Sequence, residues 1–335
     1  MHQKTKTLIF RIIIAKIILV ILALLISACT QENNQTNNPS ARSNIITINN
    51  IEYKLENNTL TQLTLDQDNI AKFGVLADSH GHCTHVEKFA ESFLDENVDG
   101  IIFLGDIANR YRPRYNPKIS YRDEIKNCVE AAAQTNLPVY VIPGNHETKK
   151  DYYEIIEELI EQYNYTNIID MSTTRIVQGD DFDLISNPYG NDYTFQDEGF
   201  KETENDKNNI EELIKLINQD SELDILISHQ PPQGNSNLGI DFASKKNVGS
   251  ENLNNIMINN NISISLSGHI HEAGGKAVTS EGIIVPENTF SSDLRLNPGS
   301  VEPWTYQFGN FEQGLASIIT IEGQQLKYEI LIITD

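Results

Sequence analysis

The chain has 335 residues and carries 25 Lys and Arg against 47 Asp and Glu, a formal net charge of −22 at neutral pH. That length supports a large core and one or two domains. The carboxylate excess argues against a dedicated binder of DNA or RNA, whose phosphates such a surface repels.

The first 28 residues stand apart. Lys4, Lys6 and Arg11 open a basic stretch, Ile17 to Ile26 is an unbroken apolar run, and Ser27-Ala28 precede Cys29. A basic start, a short apolar run and small residues at the cut describe an export signal. The cysteine directly after Ser-Ala makes the segment resemble a bacterial lipoprotein signal, with Cys29 as the acylated first residue of the mature protein. An uncleaved anchor is the alternative; Ile12 to Ala28 is at the short limit for a span, and Lys16 interrupts it. Either way the remainder would lie outside the cytoplasm, on the periplasmic or cell-surface side, tethered to a membrane. Removing the signal's four basic residues leaves 21 basic against 47 acidic, a net charge of −26. Residues 29–44 are rich in Asn, Gln and Ser, cannot bury themselves, and read as a flexible tether.

Ile45 to Leu65 alternates apolar and polar residues around Glu56-Asn57-Asn58, which predicts a β-hairpin and sets residues 45–69 apart from a domain over 70–335. Lys72 to Ala77 predicts a buried strand ending in Asp78. Val86, Phe89, Ala90, Phe93 and Leu94 mark one helical face. Ile101 to Leu104 is a second strand, ending in Gly105-Asp106. Asn109 to Lys118 is a polar loop with Arg110, Arg112 and Arg114 among tyrosines. Ser120 to Gln134 is helical, with Ser120 and Asp123 spaced as a capping box. Pro138 to Ile142 is a third strand, ending in Pro143-Gly144-Asn145-His146, and Tyr152, Ile155, Ile156, Leu159 and Ile160 mark the next helix. The strand–helix repeat implies parallel strands with right-handed crossovers.

Arg175 to Ser186 then predicts a short hairpin, and a further helix falls near Asn208 to Ile217. Leu223 to Ile227 is a strand leading to Ser228-His229. Ser250 to Asn259 is a short helix, and Ile262 to Leu266 a strand leading to Gly268-His269-Ile270-His271. The tail, through Ile283-Val285, Ala316-Ile321 and Leu326-Ile333, is strand-rich without helices. The simplest architecture is α/β: two packed mixed β-sheets flanked by helices.

The chemistry gathers at the ends of the apolar runs, where an open α/β sheet delivers side chains to a shared crevice. Asp78 and His80 are two apart, as are His269 and His271; in extended backbone such pairs point to one side. Gly105, Gly144 and Gly268 precede donor residues and allow backbone to approach closely. Carboxylate, amide oxygen and imidazole suit first-row divalent metals. Two such ions roughly 3.5–4 Å apart can clamp both moving oxygens of an in-line displacement.

Asp-x-His at 78–80, Gly105-Asp106, Gly144-Asn145-His146-Glu147, the lone His229 and Gly-His-x-His at 268–271 resemble, in order, the signature of the calcineurin-like metallophosphoesterase superfamily. The resemblance covers most of residues 70–335 and extends to Pro231-Pro232 and Asn297-Pro298-Gly299-Ser300. It implies an αββα sandwich and a hydrolase of small phosphomonoesters or phosphodiesters. It further implies a cofactor of two divalent ions (Mn, Fe, Zn or Ni) with a hydroxide held between them. By the same carry-over, Asp78, His80 and His271 would hold one ion and Asn145, His229 and His269 the other. Asp106 would bridge the two. His146 would protonate the leaving oxygen, and Glu147 would orient its neighbour.

Other roles stay open. His82 stands where relatives often carry Asn and, with His85, is a loop or helix-start residue or a substrate contact. Arg110, Arg112 and Arg114 are solvated charges or a grip on a substrate phosphate. Tyr111, Tyr115 and Tyr121 pack under the loop or stack on a base. Trp304 lines the pocket mouth or caps the sheet. Cys83 and Cys128 are either bridged, as export permits, or two part-buried thiols. Beyond the small phosphate ester and the membrane, nucleic acid is an unfavoured partner. A metal-dependent nuclease and a catalytically silent surface lipoprotein with a binding role are the rival functions.

Overall fold

The computed structural model describes residues 45–65, 68–110, 118–188, 200, 222–304 and 313–334. The export signal with Cys29, the tether, Arg112, Arg114, Tyr111, Tyr115 and the helix expected near Asn208 to Ile217 lie outside them.

Three strands come first: β1 Ile45–Ile48, β2 Ile51–Glu56 and β3 Thr59–Gln62. Strand and helix then alternate through β4 Ile70–Leu76, α1 Cys83–Asp95, β5 Gly100–Phe103, α2 Tyr121–Ala133, β6 Val139–Val141, α3 Lys149–Glu161 and β7 Ile168–Asp170. Next are β8 Ile176–Gln178, β9 Phe182–Asn187, β10 Leu223–Ser228, the short pair β11 Phe242–Ala243 and β12 Lys246–Asn247, α4 Glu251–Asn260 and β13 Ile264–Ser267. A single 3-10 turn at His271–Ala273 leads to β14 Lys276–Val278, β15 Ile284–Val285 and β16 Leu294–Asn297. The long pair β17 Gly314–Glu322 and β18 Gln325–Ile333 closes the fold. Among the described residues no helix is long and apolar enough to cross a membrane.

The strands form a six-stranded sheet ordered β18-β17-β4-β5-β6-β7 and a ten-stranded sheet ordered β1-β2-β3-β8-β9-β10-β13-β16-β14-β15, with β11 and β12 a separate pair. β4, β5, β6 and β7 run parallel, as do β9, β10, β13 and β16. Because side chains alternate across a strand, each strand feeds two cores. Ile102 and Leu104 face Leu184, Ile225, Ile227 and Leu266 between the sheets, whereas Ile101 and Phe103 face Val86, Phe89, Val129 and Leu159 on the helices. α4 covers the outer face of the large sheet through Leu253, Ile256 and Met257, packed on Ile185 and Leu226. The layers are helix, sheet, sheet, helix, as the apolar patterning implies.

The helices begin where their capping chemistry says. The Ser120 hydroxyl accepts the Asp123 N–H at 3.1 Å, and the Asp123 carboxylate reaches back to the Ser120 N–H, completing the predicted box at the start of α2. Thr148 caps α3 by accepting the Asp151 N–H. Such a cap contributes about 1 kcal/mol.

Three features depart from the local sequence pattern. The hairpin expected at Ile45 to Leu65 is a three-stranded meander with turns at Asn49-Asn50 and Asn57-Asn58, all four in the left-handed region. Its third strand pairs in parallel with β8, so the meander continues the large sheet. β16 is an interior strand although it reads Leu-Arg-Leu-Asn; the terminal nitrogens of its buried Arg295 donate to Asn254 Oδ1 at 2.8 Å and to the Gln233 carbonyl at 3.3 Å. Cys83, the first residue of α1, forms a disulfide with Cys128 of α2, which settles the choice that the sequence leaves open.

Candidate functional site

The donor residues lie just past the C-terminal ends of β4, β5, β6, β10 and β13, so both sheets feed one place. Backbone bonds lace the first two loops together. The N–H groups of Asp78, His80 and Gly81 donate to the carbonyls of Gly105, Asp106 and Ile107 at 3.0, 3.0 and 2.9 Å. Ser300 Oγ and the Glu302 N–H both donate to the Asp78 carbonyl. Asp78, His80, Asp106 and His269 have φ of 52°, 44°, 49° and 69°, left-handed values that cost non-glycine residues energy and recur at functional sites. This corrects the extended geometry inferred from the i, i+2 spacing. The pairs converge because the backbone coils left-handed at the first member of each, and His271 opens the 3-10 turn.

The two sheets are joined through a carboxylate: Asp78 Oδ2 accepts the His269 N–H at 2.9 Å. Gly268 makes that approach possible, since a Cβ there would stand 2.6 Å from Asp78 Oδ2. Gly144 does the same beside Asp106, where a Cβ would overlap the Asp106 backbone nitrogen and carboxylate.

Two groups of ligand atoms result, and a third, formed by His80, Asp106 and His146, overlaps both. Asp78, His80 and His271 each place one within 4.8 Å of the other two, and so do Asp106, His229 and His269. His80 Nε2 is 3.4 Å from His271 Nε2, and His271 Nε2 is 3.5 Å from Asp78 Oδ1. Asp106 Oδ2 stands between the groups, 3.9 Å from His80 Nε2 and 3.3 Å from His229 Nε2. Asn145 joins the second group through Oδ1, 2.9 Å from His229 Nε2. His146 lies beside Asp106, its Nε2 3.9 Å from Oδ2, its ring edge-on to His80.

These donors fit divalent cations. His229 Nδ1 lies 2.8 Å from the Leu104 carbonyl, which fixes the proton on that nitrogen and leaves Nε2 as the acceptor. Nε2 then faces two more acceptors, Asn145 Oδ1 and Asp106 Oδ2, and a proton or a cation must sit among the three. Burial opposes charge on His229, but Asp106 and Asp78 outweigh it and push it up to about 10. Burial likewise opposes charge on Asp106 and Asp78; the imidazoles reverse this and hold Asp106 well below, and Asp78 below, the ordinary carboxylate range. Burial takes His80 down to about 3, so its imidazole is neutral and its lone pair available. Ionised carboxylates and neutral imidazole are the forms that bind metal.

Glu147 is fully buried, and its carboxylate bonds backbone N–H groups. Oε2 accepts the N–H groups of Gly144 at 2.7 Å and Asp106 at 3.1 Å, and Oε1 that of Ala108 at 3.1 Å. It thus fixes the Asp106 loop. Burial, then the charge of Asp106, raises it to about 8.

The weaker candidates fall outside the two donor groups. His82 is the buried residue just before α1, its Nδ1 3.2 Å from the Ser79 carbonyl and its ring 5.7 Å from that of His85. Arg110 is exposed. Trp304 packs edge-on against His271, which places it at the first group. Glu302 escaped notice in the sequence: its Oε2 is 3.9 Å from His80 Nε2. Its only signal is its position two residues past Ser300. Tyr121 also acts through its hydroxyl, on the turn that carries His146.

A model of the calcineurin-like phosphoesterase family matches residues 71–273, a span that holds every donor named above. No curated protein matches the chain in sequence. Among solved structures the chain is similar to a protein of Thermus thermophilus, at 11% identity over 78% of this chain and 98% of that one, with a TM-score of 0.50. It is also similar to a dimetal phosphatase from Danio rerio (14% identity, 79% and 98%, TM-score 0.47) and to a phosphatase of Mycoplasma pneumoniae (12%, 81% and 95%, 0.43). At these identities the likeness is one of fold. With more than half its length matched by the family model and the signature residues gathered in one crevice, the chain belongs to the calcineurin-like phosphoesterases.

Proposed function

We propose that the protein hydrolyses small phosphomonoesters or phosphodiesters with two divalent ions, one on Asp78, His80 and His271, the other on Asn145, His229 and His269, with Asp106 shared. The observation that carries this reading is the position of Asp106 Oδ2, within 4 Å of an imidazole nitrogen from each group. Ions bound there would supply Lewis-acid neutralisation of charge building on the phosphoryl oxygens. The chain's own residues do the rest. The Leu104 carbonyl sets the His229 tautomer, and Glu147 holds the Asp106 loop against the Gly144 turn. His146, its N–H fixed on Asp106 Oδ1 at 2.8 Å, delivers a proton to the departing alkoxide. The acidic surface favours small substrates over polyanions.

Export as a membrane-anchored lipoprotein is part of the proposal. The basic start, apolar run and Ser-Ala-Cys29 support it, and a Cys83–Cys128 disulfide suits an oxidising compartment. Labelled fatty acid recovered on the wild-type chain and absent from Cys29→Ser is the expected result.

The activity test uses the full chain in detergent, supplied with Mn, Fe, Zn or Ni. Hydrolysis of a chromogenic monoester or diester is expected, with Asp106→Ala and His146→Ala each slowing it at least about a hundredfold. A protein that retains no metal and cleaves neither ester overturns the reading. A steep loss of activity with added salt redirects it to a polyanionic substrate.

A further inference from the structure

Helix α2 turns its first residue toward the turn that carries His146. Tyr121 Oη donates to the His146 carbonyl at 2.7 Å and accepts the Thr148 N–H at 3.2 Å. One hydroxyl therefore spans the chain on both sides of Glu147. That carboxylate meanwhile ties the same turn to Gly144, Asp106 and Ala108. The backbone of His146 is held from two directions. From one side its N–H is fixed on Asp106 Oδ1, and from the other its carbonyl is fixed on Tyr121.

The anchor behind the hydroxyl is firm. The Tyr121 ring packs on the helix-side core, and Ser120, directly before it, caps α2. Thr148, whose N–H it receives, caps α3. Tyr121 thus couples two helix starts to the orientation of one imidazole. A phenol both donates and accepts at this reach; phenylalanine keeps the packing and strands a carbonyl and an N–H. Burial, reinforced by the charge of Glu147, raises the phenol's pKa and keeps its proton in place.

We propose that Tyr121 is a positioning residue that sets the aim of His146 at the leaving oxygen, and so governs how well the site cleaves esters of basic alcohols. The inference rests on the general-acid role given to His146 above. Proton delivery matters more as the leaving oxygen becomes more basic, and a nitrophenolate departs almost unaided. A lost aim therefore shows in the leaving-group dependence of kcat, which a general loosening of the fold does not alter.

The test compares wild type, Tyr121→Phe, His146→Ala and the double variant, all as full chains in detergent, on a nitrophenyl ester and on alkyl esters of the same phosphate class. Tyr121→Phe is expected to lower kcat about tenfold on alkyl esters and less than about twofold on the nitrophenyl ester. KM and the metal content measured by mass spectrometry stay unchanged. The double variant is expected to be no slower than His146→Ala alone, because the two residues act as one unit. Equal losses on every leaving group, losses that multiply in the double variant, or loss of metal would each overturn the inference while leaving the proposed activity standing. A wild-type chain inactive on all the esters would overturn the proposed activity, and this inference with it.

Discussion

Glu147 grips the backbone of Asp106 from a sequence distance of 41 residues: its Oε2 accepts the Asp106 N–H at 3.1 Å while holding Gly144 at 2.7 Å. The residue proposed to bridge two ions is therefore positioned by a carboxylate that belongs to neither donor group. Glu147→Gln keeps the volume but turns one oxygen into an amide donor that must face backbone N–H. Metal affinity, read by titration calorimetry, should fall about 10–100-fold. Unfolding free energy should drop by about 1–3 kcal/mol for the unsatisfied group. An unchanged metal isotherm would remove Glu147 from any supporting role.

Gly268 offers a steric test of the junction between the sheets. A methyl group there would meet both Asp78 Oδ2, 2.6 Å off, and the Ala77 Cβ, 2.7 Å off. Gly268→Ala should therefore displace a donor without removing one. The expected result is one fewer ion retained per chain and at least about a tenfold fall in kcat/KM. Full occupancy with wild-type rates would show that the crevice yields more readily than this packing implies.

Metal uptake should release a proton. His229 is raised from 6.5 to about 10, so the metal-free imidazole is charged near neutral pH, and a cation entering the second group must expel that proton. Affinity should rise with pH up to about 10. The sign for stability is the opposite. A raised folded-state value stabilises the metal-free chain fully below 6.5, and that contribution is lost as pH climbs through 10. Calorimetry in buffers of different ionisation heat checks the first statement, and thermal melts of the chelator-treated chain check the second. Binding heats that do not depend on the buffer would contradict both.

Reduction of Cys83–Cys128 should destabilise the fold. The bond closes a sequence separation of 45 residues between α1 and α2. A loop of that size corresponds to about 4 kcal/mol in chain-entropy terms. Urea midpoints of the oxidised chain, the reduced chain and Cys128→Ser should place the last two together and well below the first. Coincident midpoints for all three would mean that the helices need no staple.

The donor set was legible in the sequence because each donor follows an apolar run, and such a run ends where a buried strand ends. Asp78, Asp106, Asn145, His229 and His269 are all of this kind, and the crevice brings them together. Illegible was what reaches them from elsewhere. The Tyr121 hydroxyl, the Leu104 carbonyl and Glu302 act across long separations that no local spacing records. The left-handed backbone at His80 was hidden too. Residue type alone disfavours it there, and the bonds to the Gly105–Ile107 carbonyls impose it. β16 was obscured by its arginine, whose partners on α4 and the Gln233 loop appear only in three dimensions. The parallel pairing of β3 with β8 is a matter of topology, which alternation cannot report.

The place of β17 carries a consequence for biosynthesis. It lies between β4 and β18, directly beside the strand that leads to Asp78, and its Leu315 N–H bonds the carbonyl of Ser300. Every candidate metal donor is translated before Gly314, yet the sheet that aims Asp78 is incomplete until the β17–β18 hairpin arrives. A nascent chain still waiting for that hairpin would hold every candidate ligand without the sheet that aims them, so removing the hairpin should silence hydrolysis as surely as deleting a ligand.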